Sequence, residues 1–325
     1  MKTKKQNIVT IGGGSGQFVL LYGLRDIEKF NTTAIVAMLD SGGSTGRLRD
    51  EFGILPPGDI LKCILALSPY GDLSRTLLQK RFKKDRRLKG HNAGNMLLTM
   101  LSRYTGSFPT GVAALSEILD TKGTILPVTL VKATLCAELT DGTHIYGESA
   151  IDIPRGTQRE KIRKVFLVPH HSDSINVYPP VTEAIKNAEA IIIGPGDLFT
   201  SIIPNLIIPG VKEAIKESKA KILYIVNIMT KFGETQNFTC HDFVSTLEEN
   251  LSIQIDGLIY NIKKPNQNIL KKYKTQKSDF VELYKDNKWW GKRKIFASDL
   301  LAVSGDIVRH DSTKLRWLIK EIISS

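Results

Sequence analysis

Short apolar runs alternate with stretches of helical period along most of the chain, and this alternation predicts a mostly parallel sheet covered on both faces. Residues 7–11 form the first run, which breaks into Gly12, Gly13, Gly14, Ser15 and Gly16; Phe18, Leu20, Leu21 and Leu24 then recur at helical spacing. Residues 34–39 read as a second strand ending in another glycine-rich loop, so the chain opens on a βαβ unit with loops at its strand ends. Helices are predicted over 60–67, 73–82 and 95–104, an excursion away from the sheet. Between 128 and 153 the pattern changes to alternation around Asp141 and Gly142, a dipeptide typical of tight antiparallel hairpins. Apolar runs at 165–168, 190–193, 222–228 and 257–260 return to strands, with helix-like stretches at 181–188 and 211–218. No repeat and no linker rich in Pro, Gly or Ser divides the chain, so one α/β domain over 1–325 is expected, with a helical and hairpin insertion at about 60–160.

Composition narrows the class. A chain of 325 residues can bury a sizeable core, and 42% hydrophobic with 24% charged residues excludes a disordered or collagenous chain. Cys63, Cys136 and Cys240 lie far apart with no Cys-x-x-Cys pair, which argues against a disulfide scaffold and a thiolate zinc site and fits a reducing cytosol. The apolar stretch behind Lys2, Lys4 and Lys5 is too short for a secretion signal, and no run reaches the ~20 residues of a membrane span. A cytoplasmic protein with no membrane span is therefore expected. The excess of 45 Lys and Arg over 33 Asp and Glu, a net +12, favours an anionic partner. Its main basic segments, 80–89 and 263–294, lack the interleaved aromatics of a nucleic-acid module; they read as solvated faces, and RNA is not the expected ligand.

The candidate chemistry sits at strand ends. Gly12 to Gly16 would let a phosphate approach the backbone at a helix N-terminus, although Gln17 stands where a dinucleotide fingerprint has Gly or Ala, and a plain tight turn is the other reading. Asp40 could accept a ribose hydroxyl, ligate a metal or cap a helix. Ser41, Gly42, Gly43, Ser44 and Arg47 suit a diphosphate or sugar, or form an ordinary surface loop. A second anion-compatible loop carries Gly194, Gly196, Asp197, Thr200 and Ser201, and Asn227 with Thr230 closes another strand at the same edge, with Gly233, Glu234 and Thr235 behind. No histidine pair has the spacing of a helical zinc site: His170 and His171 read as an exposed strand end, and His91, within Gly90-His91-Asn92-Ala93-Gly94-Asn95, is the histidine best placed for a site. No nucleophile elbow or carboxylate pair points to hydrolysis. Local chemistry alone stops at a nucleotide or phosphosugar binder.

Seven motifs in order extend this reading: 11–16, 40–49, 53–59, 90–95, 194–206, Asn227-Ile228-Met229-Thr230 and Val308-Arg309-His310-Asp311. Together they resemble the 2-phospho-L-lactate transferase-like (CofD-like) family, and within it the bacterial gluconeogenesis-factor (YvcK-like) branch. The resemblance implies a Rossmann-like three-layer α/β fold that binds a nucleotide-sugar such as UDP-N-acetylglucosamine. It also implies a link to carbon metabolism, cell shape and peptidoglycan supply, as a regulator rather than a catalyst and acting through a protein partner. By position, Tyr273 and Arg309 match residues that contact the UDP-sugar, the first offering a stacking face and the second a bidentate donor. A homodimer is the default assembly. The family's transferase branch uses a divalent metal and a loop resembling Asp-Asp-Gly-Gly, where this chain has Asp40 followed by Ser41. The rival reading is thus a magnesium-dependent transferase, with Asp40 as metal ligand and His91 or Asp59 near the acceptor.

Overall fold

A computed structural model describes residues 5–39, 42–84, 88–284 and 287–324. Its centre is a seven-stranded sheet, every neighbouring pair of which is parallel. The strands in chain order are β1 (Gln6–Gly12), β2 (Phe30–Val36), β3 (Thr124–Pro127), then β4 (Ala133–Leu139), β5 (His144–Tyr146) and β6 (Ile162–Pro169) of a separate sheet, then β7 (Ala190–Ile193), β8 (Lys221–Ile225), β9 (Gly257–Asn261) and β10 (Lys294–Ser298). A final hairpin is made of β11 (Leu301–Ser304) and β12 (Ile307–His310).

Side chains alternate across the sheet, so Val9 and Ile11 join one core while Ile8 faces another with Leu20, Leu24, Leu315 and Ile319. Helices Gly14–Leu24, Gly58–Leu67 and Ser312–Ser324 cover one face. On the other lie Pro179–Lys186, Val211–Glu217 and Cys240–Leu251, together with the small sheet. The result is a Rossmann-like three-layer sandwich.

The strand order, β10-β9-β8-β7-β1-β2-β3, decides where a ligand can go. From β1 the chain moves outward to β2 and β3, then returns to β7 on the other flank of β1. Connections therefore diverge between β1 and β7, leaving a crevice at their carboxyl ends.

The structure corrects several local expectations. Residues 165–168 do not join the parallel sheet: β6 pairs antiparallel with β4, and β4 with β5, extending the expected hairpin to three strands. Burial explains this. Strand β6 is half-exposed along its length, as suits a small antiparallel sheet, whereas β7 is buried at every residue. The second strand begins at Phe30 and ends at Val36, short of the expected 39. The glycine-rich stretch after it is not a loop throughout, because Gly43–Phe52 is a helix with extended Gly42 as N-cap and left-handed Gly53 behind it. Helix Gly71–Leu78 stops before 82, and Leu73 and Leu77 on it are exposed. Within the stretch 60–160, β3 takes the edge of the main sheet. No single helix among the described residues is long and apolar enough to cross a membrane.

Candidate functional site

Two loops meet at the crevice. Helix Gly14–Leu24 starts directly behind β1 without a side-chain cap, and its first backbone donor, Gly14 N, bonds Asp59 Oδ2 at 2.8 Å. Asp59 thus occupies part of the positive helix end, and its other oxygen holds Lys62 at 2.8 Å. Gly16 is where the two loops touch: a Cβ there would lie 2.2 Å from the Pro195 carbonyl oxygen. Gln17 belongs to the scaffold. Fully buried, it donates through Nε2 to Ile35 O at 3.1 Å and to Thr10 Oγ1 at 3.2 Å, tying the helix to β1 and β2.

The loop after β7 supplies Gly196, whose N–H bonds Asn227 Oδ1 at 3.3 Å, and Ser201, a π-helical residue beside Gly13. Across the opening stand helix Gln267–Thr275 and the β11–β12 hairpin. Tyr273 Oη accepts from Val308 N at 2.9 Å, fixing the ring against the strand that carries exposed Arg309. Gly13, Gly14, Ser15, Gly16, Gly196, Asp197, Ser201, Asn227, Thr230, Tyr273 and Arg309 therefore line one cleft of about 310 Å³. A polar hollow of about 230 Å³ adjoins it, shares Gly14, Ser15, Asp197 and Ser201, and adds Asp59, Lys62, Asp152 and Thr200.

Other candidate residues go elsewhere. Gly12 and Gly194 lie behind the cleft, where Gly12 O accepts from Asn205 Nδ2 at 3.1 Å and Gly194 N donates to Ile11 O at 2.9 Å. Thr230, although at the cleft wall, exchanges two hydrogen bonds with the Asp279 backbone. Ser44, His91 and Asn95 form a separate buried group, with Ser44 Oγ 2.9 Å from His91 Nδ1 and Asn95 Nδ2 3.5 Å from Ser44 Oγ. Burial, then the Arg47 charge, pushes the His91 imidazole down. Arg47 itself donates to Lys89 O at 2.6 Å. Gly42 and Gly43 open the helix that carries Ser44. Asp40 and Ser41 lie outside the described residues. His170 is held by Thr134 Oγ1 at 2.6 Å from Nε2.

Sequence reading named Asp197 and Glu234 but missed Lys231 and Asp152, which complete the most highly charged group of the site. Lys231, which follows Thr230 directly, places its ammonium 2.8 Å from Asp197 Oδ2 and 3.0 Å from Glu234 Oε1, and bonds Asp152 Oδ1 as well. Burial opposes its charge, but Glu234, Asp197 and Asp152 outweigh that and hold the ammonium above the usual lysine range. Burial, with Asp197 beside it, pushes the Glu234 carboxyl up, and the Lys231 ammonium opposes that rise. Asp152 comes from the helix Glu148–Asp152, 79 residues away in sequence, so no local pattern could announce the cluster.

His310 closes the floor of the cleft. Burial pushes its imidazole down to about 4, against a hydrogen bond with the Val226 backbone, and its Nε2 has no partner among the described residues. An unfolded imidazole titrates near 6.5, so between about pH 6.5 and 4 the unfolded chain binds the extra proton. The stability contributed by neutral His310 is complete above that window and is lost as pH falls through it. Urea denaturation of His310→Asn should show an acid-side decline between about pH 7 and pH 5 that is shallower than wild type by roughly 2 kcal/mol; parallel declines would show that His310 is not the group responsible.

Comparison with known proteins agrees with this fold. The family described as 2-phospho-L-lactate transferase CofD matches residues 8–301. The chain is 37% identical over 322 residues to the gluconeogenesis factor of Bacillus subtilis, covering 98% of this chain and 99% of that protein. It is 37% identical over 320 residues to the gluconeogenesis factor of Halalkalibacterium halodurans, covering 98% and 97%. The crystal structure of protein BH3568 from Bacillus halodurans superposes with a TM-score of 0.90 at 35% identity, covering 99% of this chain and 100% of that one.

Proposed function

Since the chain belongs to the CofD family and has full-length relatives named gluconeogenesis factors, we propose that it is a cytoplasmic nucleotide-sugar-binding regulator of carbon metabolism, cell shape and peptidoglycan supply, taking a UDP-N-acetylglucosamine-type ligand. The observation that carries this reading is the position of Tyr273 and Arg309 across the cleft from the two glycine loops. A diphosphate would lie against Gly13 to Gly16 and Gly196, where the positive end of the helix favours negative charge, although the Gly14 and Gly196 N–H groups are already bonded to Asp59 and Asn227 and would have to exchange those partners for it. The Arg309 guanidinium has no ion-pair or hydrogen-bond partner among the described residues and would close on the same diphosphate. Tyr273 offers a ring face to the uracil, and the Asn227 amide group suits a sugar hydroxyl.

Calorimetric titration with UDP-N-acetylglucosamine, UDP-glucose, NAD and a guanosine nucleotide, each with and without magnesium, tests the reading. The UDP-sugar should bind at micromolar concentration in the absence of magnesium and remain intact. Binding of the guanosine nucleotide alone, and only with magnesium, would replace the proposal with the transferase reading. The feature nearest to that second reading is an acidic set in which carboxylate oxygens of Asp152, Asp197 and Glu234 lie within 4.8 Å of one another, with the Lys231 ammonium among them. Turnover of a nucleotide-linked donor that is lost in Asp40→Asn would be its signature.

A further inference from the structure

The carboxylate set and its lysine bear on how a diphosphate is held. Asp197 follows β7, Lys231 and Glu234 follow β8, and Asp152 ends a helix of the small-sheet region. The cluster therefore stands where the cleft and the neighbouring hollow meet, with Lys231 lining the first and Asp152 the second. A divalent ion accepted by these three carboxylates would need oxygen ligands about 2.0 to 2.5 Å away. The Lys231 ammonium already fills that position, donating hydrogen bonds to Asp152 and Asp197 and forming an ion pair with Glu234 Oε1 at 3.0 Å. The residues present thus do not fit a resident metal at this point, because ammonium and ion would need the same space and the same oxygens.

The other acidic group described at the helix end shows the same arrangement, with Asp59 divided between Lys62 at 2.8 Å and the Gly14 N–H at 2.8 Å. Carboxylates that would repel a diphosphate, or recruit a metal to bridge to it, are here each paired with a cation covalently part of the chain. A lysine cannot dissociate as a metal can.

We propose that Lys231 is a built-in cation that takes the place of a divalent metal in this cleft, so that the anionic ligand is bound independently of metal. The inference rests on the nucleotide-sugar reading for the identity of the ligand, but not for the state of the carboxylate cluster. With Lys231 in place, Asp197 is held in an ion pair and its loop can present Gly196 and Ser201 to a diphosphate. Without Lys231, three carboxylates would be left facing one another and would capture a divalent ion.

Two measurements on the full chain test this. Electron paramagnetic resonance with Mn²⁺ alone should show no stoichiometric site in the wild type, one site per chain in Lys231→Met, and loss of that site in Lys231→Met combined with Asp197→Asn. Calorimetry with UDP-N-acetylglucosamine should give wild-type affinities within about twofold of each other in EDTA and in magnesium. In Lys231→Met, affinity in EDTA should fall about 30-fold or more and be largely restored by magnesium. A wild-type Mn²⁺ site that Asp197→Asn removes would overturn the proposal, as would a tightening of about tenfold or more by magnesium in the wild type. Both wild-type arms stand even if Lys231→Met does not fold. Should the UDP-sugar fail to bind under any condition, the ligand assignment falls, while the Mn²⁺ measurement still decides the role of Lys231.

Discussion

Arg309→Ala is expected to weaken UDP-N-acetylglucosamine binding by roughly 100-fold, the effect of losing a charge-assisted contact of ~2–3 kcal/mol. Arg309 is exposed on β12 and its guanidinium has no partner among the described residues, so its removal leaves no buried charge behind and should not lower the melting temperature. Affinity and stability are thereby separable. Tyr273 acts in two ways, and two substitutions divide them. Tyr273→Ala removes the ring and should cost about tenfold or more. Tyr273→Phe keeps the ring but deletes the hydroxyl that accepts from Val308 N, and should cost only a few-fold, through looser placement of the strand bearing Arg309. Unchanged affinity in both Arg309→Ala and Tyr273→Ala would remove the nucleotide from this cleft.

Gly16→Ala should be among the most damaging small substitutions in the chain. Helix propensity alone predicts the opposite sign, since Ala is favoured over Gly in a helix by about 1 kcal/mol. Packing overrides it. The added methyl would lie 2.2 Å from Pro195 O and 2.7 Å from Pro195 C, and both obstacles are backbone with no rotamer to yield. Helix and loop must part, at a cost of about 2–3 kcal/mol from overpacking, and the separation should abolish detectable ligand binding because both loops face the same diphosphate. Gly142→Ala is the control: its φ of 85° is unfavourable to alanine, yet nothing lies within 4 Å, so only the backbone cost of about 1 kcal/mol should appear and binding should persist. Chemical denaturation and calorimetry on the two variants check both halves. Equal behaviour would show that the close approach at Gly16 is not what joins the loops.

Much of the site was readable because its signals are local. Gly12 to Gly16 directly follow an apolar run and directly precede a helical repeat, and Gly194 to Ser201 follow another run, so adjacency alone places both at strand ends. Gln17 looked like a defect in a dinucleotide fingerprint; its partners, Thr10 and Ile35, lie on two strands, and only their pairing reveals the buried amide as a tie between them. Residues 165–168 were misplaced for a related reason. A short apolar run has no mark of parallel or antiparallel pairing, and the half-exposed pattern that distinguishes β6 depends on what covers it. Ser44, His91 and Asn95 were grouped with the ligand loops by their glycine-rich surroundings, but the helix Gly43–Phe52 carries Ser44 onto His91, 47 residues away, in a buried contact apart from the cleft.

By itself, then, the sequence determined the α/β class, the family and the loops at the carboxyl ends of β1 and β7, since each rests on periodicity or on residues adjacent in the chain. Tertiary structure alone decided that Tyr273 and Arg309 stand across from those loops, that Gly16 must meet Pro195, and that Lys231 gathers Asp152, Asp197 and Glu234 around one charge. The physical reason is range. Hydrophobic period and turn chemistry act over a few residues, whereas a close backbone approach and the balance of charge in a cleft depend on groups that only the folded chain brings together.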